Sequence, residues 1–211
     1  MILSPETIEA RATSAGLVLR KGAADRIAAH ARLVRESPAV LHLTTIRDPE
    51  VFLERHIGEA FEGAARIDPS LLGPLVDLGS GNGYPGIPIA LARPGLRVVL
   101  VESSRRKSDF LRRALATTAL EGTVLERSVQ RASDLDAVAP IEVLVTRAAE
   151  GWDSVVPRLA SAFRPGGTAL IWAGAAARAI VTRASWRRRF ELVSAHELPG
   201  RTSFIYELIV K

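Results

Sequence analysis

The chain contains no cysteine, which excludes disulfides and thiolate-bound metals and makes a reducing compartment the simpler expectation. Its histidines, His30, His42, His56 and His196, are scattered, and none joins a carboxylate cluster at ligand spacing, so no metal site is expected. Lysine is nearly missing: it occurs at positions 21, 107 and 211, and arginine supplies the remaining positive charge. No apolar run approaches the roughly 20 residues that span a bilayer. The opening Met1-Ile2-Leu3-Ser4-Pro5-Glu6 has neither the basic start nor the long apolar stretch of a secretory signal. A cytoplasmic protein without membrane contact is expected, and a monomer, since no exposed heptad or broad apolar stripe demands a partner copy.

What is present is ordinary globular material. In 211 residues, 47% are hydrophobic and 24% charged, enough for one α/β domain, with or without a small appendage. The net charge of +5 suits a polyanionic partner, because neutralising phosphates releases counterions. An arginine-rich composition of no functional meaning accounts for the charge equally well.

Two patterns follow one another along the chain. Ser4-Pro5-Glu6 reads as a helix start, with Gly16 as its stop. A second helix is predicted over 23–36, with Ile27, Ala31 and Val34 on one face and Pro38 beyond its end. Asp48-Pro49-Glu50 repeats the start signal for a helix carrying Phe52, His56 and Ala60 on one side. From Leu75 the pattern changes to short apolar runs alternating with helical segments, as βαβ units require. Strands are predicted at 75–78, 97–101, 123–126, 141–146 and 168–172, with 164–167 as a turn and 154–163 as helix. Two final strands, around 190–196 and 203–210, lack a helical crossover and should pair antiparallel at one edge. This divides the chain into a helical extension, 1–73, that covers a pocket, and an α/β domain, 74–211.

The chemistry centres on Asp77-Leu78-Gly79-Ser80-Gly81-Asn82-Gly83. An acid ends a strand, and glycines at alternate positions let the backbone turn tightly and approach a ligand. A dinucleotide loop has the form G-x-G-x-x-G, with its helix N-terminus facing a pyrophosphate. Here Tyr84 stands where the third glycine belongs, and Asp77 would repel a pyrophosphate. The cationic S-adenosylmethionine suits these residues better. Glu102, at the end of the next strand, is placed to accept both ribose hydroxyls. Arg105, Arg106, Lys107, Arg112 and Arg113 on the helix that follows could grip phosphates or form a solvated face. Trp186 among Arg183, Arg187, Arg188 and Arg189 has the composition of an RNA-binding surface or of a packing anchor.

The continuation Gly83-Tyr84-Pro85-Gly86-Ile87-Pro88 resembles the signature of the RsmG (GidB) family of ribosomal RNA methyltransferases. Leu43-Thr44-Thr45-Ile46-Arg47-Asp48-Pro49 with Arg55-His56 is similar to that family's leader motif. Val101-Glu102-Ser103 with Lys107 and Phe110-Leu111, and Thr146-Arg147-Ala148, match in order downstream. The resemblance implies a Rossmann-like class I methyltransferase fold: a seven-stranded, mostly parallel sheet with an antiparallel last strand and a small helical N-terminal extension. It implies methyl transfer from S-adenosylmethionine, leaving S-adenosylhomocysteine, to N7 of a guanine in 16S ribosomal RNA, free or in the small-subunit particle. By position, Asp77, Gly79, Ser80, Gly81, Gly83, Tyr84 and Glu102 would hold the cofactor, with Val129 and Gln130 at the adenine. Arg147 would be the catalytic residue between cofactor and RNA, and Arg47, Arg55, His56 and Arg201 would touch the RNA. Guanine N7 carries a lone pair and no proton, so the transfer needs orientation rather than a general base, and Arg147 could hold the base through its O6 or a phosphate.

Three positions depart from the family pattern. His42 stands where the family has asparagine, Ala173 where it has lysine, and Thr202-Ser203 follow Arg201 in place of the family's last histidine motif. All are positions of the kind that would touch the acceptor, so a methyltransferase for another RNA or a small molecule, or a non-catalytic RNA- or nucleotide-binding module, are the alternatives.

Overall fold

The computed structural model describes residues 3–147, 149–200 and 202–211. Helix α1 (Pro5–Ser14) begins where the Ser4 hydroxyl accepts a hydrogen bond from the Thr7 amide, with Pro5 in the first turn. It packs on α2 (Ala23–Glu36), whose buried face includes Ile27, Ala31 and Val34. The third predicted helix starts as α3 (Pro49–Phe52), capped by Asp48, whose Oδ1 accepts from the Glu50 and Val51 amides at 2.9 Å each. It then widens into a π turn over Leu53–Gly58 before resuming as α4 (Glu59–Ala64). The wider turn carries Arg55 and His56, and such widenings tend to occur where side chains are re-aimed at a site.

The body is a seven-stranded sheet: β1 (Pro74–Leu78), β2 (Arg97–Glu102), β3 (Gly122–Glu126), β4 (Ile141–Arg147), β5 (Phe163–Gly174), β6 (Phe190–Glu197) and β7 (Ser203–Val210), in the order β3-β2-β1-β4-β5-β7-β6. The first five strands are parallel to one another, and β7 lies between β5 and β6, antiparallel to both. Helices α5 (Gly86–Ala92) and α6 (Arg105–Thr117) make the crossovers on either side of β2. The short helices α7 (Trp152–Val155), α8 (Ala177–Val181) and α9 (Ala184–Arg187) lie in the second half of the chain.

Alternation along the strands divides the core in two. Leu75, Val98, Leu100, Val143, Val145 and Trp172 face α5, α6 and the N-terminal helices, whose Ile8, Ile27, Phe52, Ile57 and Phe61 are part of the same apolar cluster. Val76, Val99, Val101, Leu144 and Ile171 face the other way, against Val156, Leu159, Trp186 and Phe190. Trp186 is a packing residue: it is 1% exposed and its indole N–H donates to the Asp153 carbonyl at 3.1 Å.

Two predicted elements come out differently. Residues 154–163 do not form one α-helix: α7 gives way to a 3-10 stretch, Val156–Ala162, because Pro157 lacks the amide that would continue the ladder. Residues 164–167, read as a turn, belong to β5, where the pairing shifts between Ile141 and Val143 and Gly166 takes φ +75°. The glycines that signalled a turn form a bulge instead. Among the described residues no helix is long and apolar enough to cross a membrane, and no group of His, Asp or Glu is placed to hold a metal.

Candidate active site

The site forms at the carboxyl ends of β1, β2, β4 and β5, the end of a parallel sheet where loops rather than side-chain rows meet the ligand. After β1 the amides of Gly79 and Ser80 both donate to the Val101 carbonyl on β2, at 3.0 and 2.9 Å. The chain then turns through Gly79, Gly81 and Gly83, with φ of +77°, +53° and +85°. A side chain at Gly79 would press on Ala149, with a Cβ–Cβ separation of 2.8 Å, and one at Gly83 would meet Ile87 at 2.6 Å. Gly81 is different. Its space is open toward the cavity, the nearest protein atom being the Gly79 carbonyl oxygen at 3.8 Å from a Cβ.

Glu102 closes this loop from β2: one carboxylate oxygen accepts from the Gly81 amide at 3.1 Å and the other from the Ser104 amide at 2.8 Å. Each oxygen keeps a second acceptor direction. Asp77 does something else. Strand alternation puts it on the face of Leu75, beneath α5, where its Oδ2 accepts from the Gly86 amide at 3.0 Å and its Oδ1 is buried without a partner among the described residues. Burial pushes the Asp77 carboxyl up to about 7, against the pull of the Gly86 amide and the nearby Arg147 guanidinium. It lines neither of the cavities around the loop; it holds the loop-to-helix junction from behind rather than facing a cationic ligand.

Two cavities meet over the glycines. One, of about 530 Å³, is lined by Gly79, Gly81, Glu102, Lys107, Val129 and Gln130. The other, of about 600 Å³, is lined by Thr44, Arg55, His56, Gly79, Ser80, Gly81, Tyr84, Lys107, Arg147 and Trp172, among others. Gly79, Gly81 and Lys107 belong to both, so an elongated ligand can cross from one to the other over bare backbone.

The N-terminal segment is welded to the loop. The Asn82 side-chain amide donates to the Leu43 carbonyl at 2.9 Å, while its oxygen accepts from the Tyr84 amide at 3.2 Å. The Tyr84 ring is stacked between His30 and His56, with centroids 4.5 and 4.8 Å away. His30 donates from Nε2 to the Asn82 carbonyl at 2.8 Å, and burial lowers its pKa to about 4, so the ring is neutral.

Arg147, the last residue of β4, reaches up to this layer. Its guanidinium donates to the Arg55 carbonyl at 2.6 Å and to His56 Nδ1 at 2.9 Å, and lies 3.7 Å from Glu59 Oε2. Its side chain is 19% exposed. A guanidinium has no acceptor, so His56 Nδ1 must accept, the ring is neutral, and its Nε2–H points at the Thr44 hydroxyl, 3.1 Å away. The predicted Arg55, His56 and Arg147 are therefore brought together. Arg47 is not: it is exposed and lies in a separate groove with Arg32 and Arg35, its carbonyl accepting from Arg35 at 3.2 Å. Arg201 and Ala148 lie outside the described residues.

Of the departures, His42, Ala173 and Ser203 all line the larger cavity. His42 has φ +47°, a left-handed conformation that asparagine, aspartate and histidine tolerate best among residues with a side chain. Asn82, His30, Glu59 and Thr44 carried no assigned role in the sequence reading. Asn82 sits inside the glycine motif and Thr44 inside the leader motif, which was the available signal. His30 and Glu59 had none, because their partners are remote in sequence.

This strand order, with a glycine loop after the central strand and a carboxylate ending the next, defines the class: a Rossmann-like, class I methyltransferase fold. Solved structures agree at the level of the fold. The ribosomal protein L11 methylase of Lactobacillus delbrueckii subsp. bulgaricus superposes with a TM-score of 0.59 at 15% identity, over 72% of this chain and 76% of that one. The Methanococcus jannaschii fibrillarin pre-rRNA processing protein gives 0.56 at 16%, over 69% and 70%.

Residues 24–199 match the GidB family, described as rRNA small subunit methyltransferase G, and the chain belongs to that family. Relatives called ribosomal RNA small subunit methyltransferase G include one from Alkalilimnicola ehrlichii, 34% identical over 75% of this chain and 70% of its own length. Another, from Xanthomonas campestris pv. campestris, is 35% identical over 69% of this chain and 68% of its own. A third, from Mycolicibacterium gilvum, is 37% identical over 59% of this chain; the chain spans 54% of that relative's length.

Proposed function

We propose that this protein transfers a methyl group from S-adenosylmethionine to N7 of a guanine in 16S ribosomal RNA. The observation that carries the proposal is the meeting of two cavities over the bare backbone of Gly79 and Gly81, one ending at Glu102 and the other at Arg147, His56 and Thr44. When bound, S-adenosylmethionine supplies a methyl on a positive sulfur, ready for attack by a lone pair.

The residues present fit it. Glu102 has unused acceptor directions for the ribose hydroxyls, and Val129 and Gln130 line the same cavity for an adenine. Lys107, which lines both cavities, would offer a cation to the cofactor's amino-acid carboxylate. The larger cavity admits the acceptor base, with Arg55 and Arg147 at its wall to meet phosphate. A guanine must leave its stack to enter. Because N7 has no proton to lose, the protein's task is alignment, and Arg147 contributes by holding His56 and the π turn in place. Arg47, with Arg32 and Arg35, lines a separate groove whose positive charge suits RNA phosphate.

The test is incorporation of labelled methyl from S-adenosylmethionine into small ribosomal subunits or their naked RNA, with Gly81→Arg as control. The expected product is 7-methylguanine with the wild-type protein and at least a 100-fold loss with the control, whose side chain would fill the crossing between the cavities. Cofactor binding without incorporation would favour a non-catalytic binding module. Incorporation into another acceptor would assign a divergent substrate, as the cavity positions of His42 and Ala173 would then explain.

A further inference from the structure

We propose that Thr44 selects the acceptor base, acting as an obligatory hydrogen-bond donor to the carbonyl oxygen beside the attacked nitrogen. The inference rests on the guanine-N7 reading above and deepens it.

Arg147 can only donate, so His56 Nδ1, 2.9 Å from its terminal nitrogen, accepts. The proton of the neutral ring is then on Nε2, and it is directed at Thr44 Oγ1, 3.1 Å away. The Ile46 amide donates to the same oxygen, also at 3.1 Å. A hydroxyl has two acceptor directions and one hydrogen. Both acceptor directions of Thr44 are used, and among the described residues nothing takes its hydrogen. Thr44 lines the larger cavity, on the side of the glycine loop occupied by Tyr84 and Arg147.

A hydroxyl locked in this way reads one difference between purines. Guanine carries a carbonyl oxygen next to N7, an acceptor; adenine carries an amino group there, which can only donate. Thr44 satisfies the first and faces the second donor to donor. Discrimination built on a hydrogen-bonding site of this kind is stronger than a shape difference supplies, since the wrong base leaves buried polar groups unpaired. The chain from Glu59 through Arg147 and His56 to Thr44 thus has a purpose beyond packing: it fixes the direction of one proton.

The experiment compares wild type, Thr44→Val and Thr44→Ser on small-subunit RNA. That RNA carries guanine, or by ligation 2,6-diaminopurine, which replaces the oxygen with an amino group, at the methylated position. For guanine RNA, kcat/KM should fall about 10- to 100-fold in Thr44→Val and stay within about 3-fold in Thr44→Ser. Affinity for S-adenosylhomocysteine, measured by calorimetry, should be unchanged in both, which also reports a folded site. The preference of wild type for guanine over 2,6-diaminopurine should shrink at least 10-fold in Thr44→Val. An active wild type with an unaltered preference in Thr44→Val overturns the role of Thr44 alone, as does a Thr44→Ser variant as poor as Thr44→Val, or loss of cofactor binding in either. A wild type that transfers no methyl to this RNA overturns the guanine-N7 reading and this inference with it.

Discussion

Asp77 and His30 both hold the glycine loop from buried positions, and burial reverses the usual order of their titrations. Asp77 is raised to about 7, so its protonated form suits the fold; the stability it supports is full below the ordinary carboxylate range and is lost as pH rises through about 7. His30 is lowered to about 4, so its neutral form suits the fold; its contribution is full above the ordinary imidazole value and is lost as pH falls through about 4. Over the interval between, the two oppose each other. Urea midpoints taken from about pH 4 to pH 7 should therefore climb more steeply with pH in Asp77→Asn than in wild type. In His30→Gln they should climb less steeply, or fall. Parallel profiles for the three proteins would remove the assigned titrations.

At the scale of the element, the start of α5 is a tight joint behind the site. A Cβ on Gly86 would stand 2.5 Å from Asp77 Oδ2 and 2.8 Å from Asp77 Cβ. Gly86→Ala must therefore push the helix off the strand and break the hydrogen bond from the Gly86 amide. A loss of about 2–4 kcal/mol in unfolding free energy is expected, from overpacking together with an unpaired buried carboxyl. Chemical denaturation measures it; a loss under about 0.5 kcal/mol would mean the joint has slack. The glycine was visible in the sequence as part of the Tyr84-Pro85-Gly86-Ile87-Pro88 signature, but its reason was not. Nor was the π turn over Leu53–Gly58, since the apolar spacing of Phe52, His56 and Ala60 reads as plain α-helix. Periodicity registers which face is buried. It is silent on one extra residue in the turn.

For the molecule as a whole, the N-terminal helices and the sheet share one apolar cluster, running from Ile8 and Ile27 through Phe52 and Phe61 to Leu75, Val143 and Trp172. In the sequence the pattern changes from helical to βαβ after residue 73. The two segments on either side of it pack into that one cluster. A chain beginning at Gly73 would uncover the part of the α5–α6 side of the core now packed against the N-terminal helices and lose the His30 and His56 partners of Tyr84, so it should fail to unfold cooperatively and should bind 8-anilinonaphthalene sulfonate. A sharp two-state transition from that fragment would show the sheet to be self-sufficient.

The order of strands and helices, the glycine loop, Glu102 at the end of β2 and the family itself followed from the sequence alone. Each is written in local pattern: alternation, turn residues, and a motif whose members lie within a few positions of one another. Tertiary structure decided what those residues do. It turned Asp77 away from the cavity, because its place in the alternation points it under α5. It joined Arg147 to His56, Glu59 and the Arg55 carbonyl across about ninety residues of chain. It also converted Thr44 from one residue of a motif into a hydroxyl with its two acceptor directions filled and its proton left for the cavity. Those assignments depend on which donor meets which acceptor, and for groups so far apart in sequence only the packed fold settles that.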